Sequence, residues 1–187
     1  MRLTMVKKIA SFLLGLILLL VVVYAVLALL AKPIPSHPFF DPHEGVLVIA
    51  HQGGKGYRPD NTMAAFEHAW DLGADVLEMD LHSTQDGVLV LIHDDTVDST
   101  TNGSGPIQGF SLLELQELDA GYNWTADQGA TYPFRGQGIR VPTLEEVFRT
   151  FPEARMNIEI KQTDPSIVQP LCELIRDHGM TERVLIA

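Results

Sequence analysis

The chain has 187 residues, 46% of them hydrophobic and 20% charged, with 13 Lys and Arg against 24 Asp and Glu. That composition excludes a chain too polar to build a core, and the excess of acid argues against a nucleic-acid partner, which needs basic surface. Cys172 is the sole cysteine, which excludes an internal disulfide and a Cys-based zinc site; it falls in an apolar helical pattern and is expected in the core.

Taken in chain order, Met1–Lys8 is a short basic terminus, followed by Ile9–Ala31, which contains no charge, proline or amide side chain. As a helix this run would extend roughly 34 Å, enough to cross a hydrocarbon layer. It reads as a transmembrane helix and is longer than the apolar region of a cleavable secretory signal, with cleavage after Ala31 as the alternative. Arg2, Lys7 and Lys8 precede the block, only Lys32 follows closely, and the first acid is Asp41. The asymmetry predicts a cytoplasmic N-terminus and an extracytoplasmic domain. Residues 32–38 carry three prolines and read as a stiff spacer. The remainder, 39–187, holds nine basic against 24 acidic side chains, a net charge of −15. Such a surface suits cations better than broad contact with anionic lipid.

Val46–Ala50 is an unbroken apolar run ending in His51, as for a strand buried on both faces. Gly53, Gly54 and Gly56 make a loop whose spacing matches no nucleotide-binding pattern. Asn61-Thr62 can cap a helix with Ala65, Phe66 and Ala69 facing the core, and Gly73 stops it. Val76–Leu81 is a second strand, Gln85-Asp86-Gly87 a turn, and Val88–Ile92 a third extended run ending at His93. Ser111 and Glu114 have capping-box spacing at the start of a short helix. Residues 121–138 lack periodicity and read as an ordered loop. A helix capped by Thr143, a strand over Met156–Ile160, a helix over Ser166–His178 and a strand over Arg183–Ala187 complete the series. Alternating strands and helices predict a parallel sheet with helices outside. Because the chain stops within an apolar strand, the expectation is a partial barrel. Asn102-Gly103-Ser104 and Asn123-Trp124-Thr125 match the glycosylation sequon.

Side chains two apart on a strand share a face, so Glu78 and Asp80 project together, as do Asn157, Glu159 and Lys161. Carboxylates buried in an apolar strand lose hydration, a cost that a bound cation would remove. Three of them suit an oxygen-preferring divalent ion, Mg²⁺ or Ca²⁺. The alternative is a set of surface acids paired with Lys161, since an acid pair at i, i+2 alone says little. His51 and His93 each follow an apolar strand directly and are expected at strand carboxyl ends, where an imidazole can take or give a proton. The other histidines, His37, His43, His68, His82 and His178, read as packed or surface residues.

His51-Gln52-Gly53-Gly54, the run from Arg58 to Phe66 and the run from Gly73 to Asp80 together resemble the glycerophosphodiester phosphodiesterase family. Asp86-Gly87, Val90–Asp94, Leu118–Gly121, Val141–Val147 and Asn157–Lys161 continue the resemblance in the same order. It implies a TIM barrel, α/β with about the first half present, a divalent metal on Glu78, Asp80 and Glu159, an acid/base pair at His51 and His93, and Lys161 facing the phosphate. The implied reaction cleaves a glycerophosphodiester to sn-glycerol 3-phosphate and an alcohol. A lysophospholipase D or sphingomyelinase D activity on lysophospholipids is the alternative, and a non-catalytic partial domain a second. Gln52 stands where the family usually has an arginine that grips phosphate, with Lys55 or Arg58 available to compensate, and Asp60 replaces a usual glutamate.

Overall fold

A computed structural model of the chain describes residues 2–32, 37–40 and 45–187. Most of the expected proline-rich spacer, 33–36, and His43 lie outside the described residues. The chain divides into two compact units, Met1–Ser36 and His37–Ala187. In the first, α1 (Arg2–Leu30) contains a 24-residue stretch, Lys7–Leu30, long and apolar enough to cross a membrane.

In the second unit, β1 (Ile49–Ala50) leads through a 3-10 turn (His51–Gly53) to α2 (Met63–Asp71), then to β2 (Val76–Ser83) and β3 (Leu89–Leu91). A long excursion contains α3 (Leu112–Gln116), followed by α4 (Leu144–Thr150), β4 (Arg155–Ile160), α5 (Val168–Asp177) and β5 (Val184–Ile186). The order across the sheet is β1-β2-β4-β5, all parallel, and β3 pairs antiparallel with β2.

The expected strand over Val46–Ala50 forms only at its last two residues, and Val46 is 88% exposed. Among the described residues β1 has one neighbouring strand, β2, and Val48 and Ile49 are also exposed. The expected helix start at Ser166 is also displaced. Helix α5 is capped by no side chain and starts at Val168. Cys172 is exposed, correcting its expected core placement. Leu171 supplies the buried contact of α5, and the next residue is turned about 100° around the helix axis, toward solvent.

Every residue of β2 is buried, yet its two faces differ. Leu77, Met79 and Leu81 pack into the main core with Phe66 of α2, Leu144, Val147 and Phe148 of α4, and Met156 and Ile158 of β4. Glu78, Asp80 and His82 take the opposite face, as the two-residue period of a strand requires. Strand β3 alternates similarly. Leu89 and Leu91 join the main core, whereas Val90 and Ile92 belong to a second cluster with Val97, Ile107, Leu115, Ala120 and Val141. That smaller core orders the excursion between β3 and α4. The expected capping box of Ser111 with Glu114 forms there, and Thr143, expected as the cap of α4, also forms a box with Glu146.

The 121–138 segment carries no helix or strand among the described residues, and Arg135 stacks between Tyr122 and Tyr132, 4.0 and 3.9 Å from the ring centres. The Asn123 amide donates to the carbonyls of Asp98 and Thr101, so this sequon nitrogen is engaged in the fold.

Gly53 has φ +72, and a Cβ there would lie 2.8 Å from Ala65 Cβ and 2.9 Å from Phe66 Cδ1. Gly54 has φ +87 but open space around it. Gly53→Ala is expected to lower the unfolding free energy by roughly 2–4 kcal/mol, from strain plus overpacking. Gly54→Ala is expected to cost only roughly 1–2 kcal/mol. Urea unfolding followed by tryptophan fluorescence checks the difference, and equal costs would contradict the close approach of the turn to α2.

Candidate active site

The parallel register sets Glu78 opposite Asn157 and Asp80 opposite Glu159. One oxygen from each of Glu78, Asp80 and Glu159 lies within 4.8 Å of the others. Glu78 and Asp80 are 6% and 0% exposed, and Glu159 is half-buried. The structure therefore brings together the three carboxylates expected from strand periodicity.

Their charge is compensated from three directions. The Gln52 main-chain N–H donates to Glu78 Oε2 at 2.6 Å, and its side-chain Nε2 donates to Asp80 Oδ2 at 2.7 Å. Asn61 Nδ2 donates to the same Asp80 oxygen at 2.9 Å, while Asn61 Oδ1 accepts from the Asp80 N–H at 3.0 Å. Lys161 Nζ donates to Glu159 Oε1 at 2.6 Å and stands 3.3 Å from Asp80 Oδ1. Asp80 Oδ1 is nonetheless buried without a hydrogen bond. A buried carboxylate oxygen with an unused lone pair, among three converging acids, fits a hard divalent cation.

Gln52 and Asn61 have φ of +53 and +54, two of three non-glycine residues with positive φ among the described residues. Their backbones turn into this sparsely populated region where both amides reach Asp80. Gln52, at the position where the resemblance places a phosphate-gripping arginine, is 2% exposed, with its amide directed at Asp80. Asn61, read as a helix cap, bonds Asp80, and Thr62 alone caps α2.

His51 follows β1, with Nε2 4.0 Å from Glu78 Oε2 and a side chain 60% exposed. His93 was expected at the end of a parallel strand, but β3 is the returning arm of a hairpin. Strand β1 pairs with β2 as far as Leu77, and β3 pairs from the opposite direction until the Ile92 N–H meets the Asp80 carbonyl at 3.1 Å. The two histidines thus leave the same edge of β2 on either side of Glu78 and Asp80. His82, read as a bland packed residue, continues the Glu78–Asp80 row, and its Nε2 lies 3.3 Å from the His93 carbonyl. The two-residue period contained that signal. Beside Lys161 opens a cavity of about 550 Å³, lined also by His82, Asp95, Gln108, Gln162 and Asp164.

Burial pushes the Glu78 carboxyl above its ordinary value, against the lowering effect of the Gln52 N–H and with further upward pressure from Asp80. Burial pulls Lys161 down, but its bond to Glu159 and the charge of Asp80 outweigh that and leave it raised. Burial lowers His82. A carboxyl whose folded pKa is raised binds its proton more tightly when folded, so its ionisation removes stability as pH rises from about 4.5 through the folded value. Glu78→Gln keeps an acceptor for the Gln52 N–H and lacks this loss. In chelator, its stability relative to the unsubstituted chain is expected to grow over that pH window and then level off. Urea unfolding from pH 4.5 to 8 checks this, and a pH-independent difference would contradict the burial effect.

Residues 51–185 match the model of the glycerophosphoryl diester phosphodiesterase family. A glycerophosphodiester phosphodiesterase of Caldanaerobacter subterraneus is 44% identical over 146 residues, covering 75% of this chain and 57% of the relative. Human lysophospholipase D GDPD1 is 34% identical over 135 residues, covering 70% and 41%. Among solved structures, a glycerophosphodiester phosphodiesterase from Agrobacterium tumefaciens aligns with TM-score 0.67 and 33% identity, over 76% of this chain and 58% of that one. An Oleispira antarctica phosphodiesterase in complex with the product sn-glycerol-3-phosphate aligns with TM-score 0.65 and 29% identity, over 75% and 56%. The chain spans about half the length of the curated relatives it matches. The fold is α/β of the TIM-barrel type, with four parallel strands and their helices among the described residues. The chain belongs to the glycerophosphoryl diester phosphodiesterase family.

Proposed function

We propose that the chain is the metal-dependent catalytic part of a phosphodiesterase that hydrolyses glycerophosphodiesters to sn-glycerol 3-phosphate and an alcohol. The observation that carries this reading is the convergence of Glu78, Asp80 and Glu159 around the unbonded Asp80 Oδ1, with His51 and His93 leaving the adjoining strand edge. The all-oxygen donor set favours Mg²⁺ or Ca²⁺ over softer metals. Such an ion would neutralise the diester oxygens and activate the attacking oxygen.

The chain's own residues supply the rest. One of His51 and His93 takes the proton of the attacking oxygen, and the other gives a proton to the leaving alcohol. Lys161 neutralises Glu159 and Asp80 and offers its ammonium to the phosphate. Gln52 carries no charge to hold phosphate, and its two bonds fix the carboxylates instead. A second reading, lysophospholipase D activity, is favoured by the likeness to the human relative of that name. The apolar run from Ile9 to Leu30, with Arg2, Lys7 and Lys8 before it, supports a single-pass anchor with the N-terminus cytoplasmic and the domain extracytoplasmic.

Purified chain with Mg²⁺ or Ca²⁺ is expected to release sn-glycerol 3-phosphate from glycerophosphocholine. Chelator or Asp80→Asn should remove the activity, and His51→Ala should lower kcat by about 10²–10⁴-fold. Release of choline from lysophosphatidylcholine alone would favour the second reading, and no hydrolysis of either a non-catalytic domain. Protease added to intact cells is expected to cut 37–187 and spare the N-terminus; the reverse pattern would overturn the orientation.

A further inference from the structure

We propose that Asp94 and Ser99 are positioning residues for His93, forming a Ser99–Asp94–His93 chain that holds the imidazole in one tautomer with Nε2 left for proton transfer. The proposal rests on the reading of His93 as an acid/base group. His93 Nδ1 lies 2.7 Å from Asp94 Oδ1, and the Ser99 hydroxyl donates to the other oxygen, Asp94 Oδ2, at 2.6 Å. An ionised carboxylate only accepts, so a bond at Nδ1 requires the proton to sit there. The remaining nitrogen is then Nε2, with a lone pair in the neutral ring and a proton to give in the charged one.

Asp94 stays ionised for the same reason. The Ser99 hydroxyl, followed by the bond to His93, holds its carboxyl below the ordinary range despite an opposing effect of burial. The main chain is fixed as well. His82 is 2% exposed, and its Nε2 can bond the His93 carbonyl, 3.3 Å away, only by donating. The ring of His93 is thereby held by Asp94, itself bonded by Ser99, and its backbone by His82 of β2.

His93 and Asp94 side chains are each 47% exposed, which makes the arrangement more than a by-product of packing. A half-exposed imidazole rotates freely unless a directed bond stops it, and rotation would cost catalysis the entropy of reorienting the ring. The Ser99 hydroxyl does for Asp94 what Asp94 does for His93: each bond removes one rotation from the next side chain.

Long-range ¹H–¹⁵N spectra of the histidine rings of the full chain in micelles, recorded at mildly alkaline pH, test this without requiring turnover. The expected result is a proton on Nδ1 of His93. Asp94→Asn presents an amide that can donate, and should transfer the proton to Nε2. Ser99→Ala should raise the Asp94 carboxyl titration, followed by its ¹³C signal, and Ser99→Thr, which keeps the hydroxyl, should restore it. In hydrolysis assays Asp94→Asn should lower kcat by about 10–10⁴-fold with KM little changed, and Ser99→Ala by about 10-fold or less. A proton on Nε2 in the unsubstituted chain would overturn the proposal, as would an Asp94 titration unmoved by Ser99→Ala. The expected tautomer in a chain without hydrolytic activity would uphold the positioning and reject the phosphodiesterase reading.

Discussion

The carboxylate of Asp80, 0% exposed in the middle of the central strand, is the constraint around which the rest is arranged. An ion that loses its water at that depth costs several kcal/mol unless charge and hydrogen bonds are returned to it. The compensating groups come from segments far apart in the chain: the amides of Gln52 after β1 and Asn61 before α2, and the charge of Lys161 after β4. Satisfying one side chain therefore ties the first loop and the end of β4 to β2. The requirement also explains two unusual backbone conformations. Gln52 and Asn61 occupy the left-handed region without being glycine, and both direct an amide at the same Asp80 oxygen.

That compensation is incomplete in a specific way. Oδ2 of Asp80 accepts two amide bonds, whereas Oδ1 accepts none and has only the Lys161 charge nearby. Burial has already raised Glu78, and Glu159 spends one oxygen on Lys161. The group thus retains negative charge and free lone pairs on one side, the condition under which a hard cation is held most strongly. Each further donor would stabilise this group and leave less charge for a cation.

The β2–β3 hairpin is the second organising element. A purely parallel sheet would extend β1 along β2; here the edge is divided, with β1 covering its start and β3 its end. The gap between them faces Glu78 and Asp80, and His51 and His93 stand on its two sides. Keeping β3 in place requires the small core of Val90, Ile92, Val97, Ile107, Leu115, Ala120 and Val141, so the excursion is structural support for His93 as well as surface.

Sequence alone determined what depends on period and local geometry. Alternation put Glu78 with Asp80 on one face of β2 and Asn157 with Glu159 on one face of β4, and hydroxyl-to-carboxylate spacing marked the cap at Ser111. The same alternation contained His82, whose environment depends on a carbonyl eleven residues away. Tertiary structure decided what depends on which strand lies beside which: that β2 and β4 are neighbours in register, that His93 arrives on an antiparallel arm, that Cys172 faces water, and that Gln52 serves a carboxylate. Such outcomes turn on desolvation and on partners distant in sequence, and neither is encoded within the few residues over which a local pattern can be read.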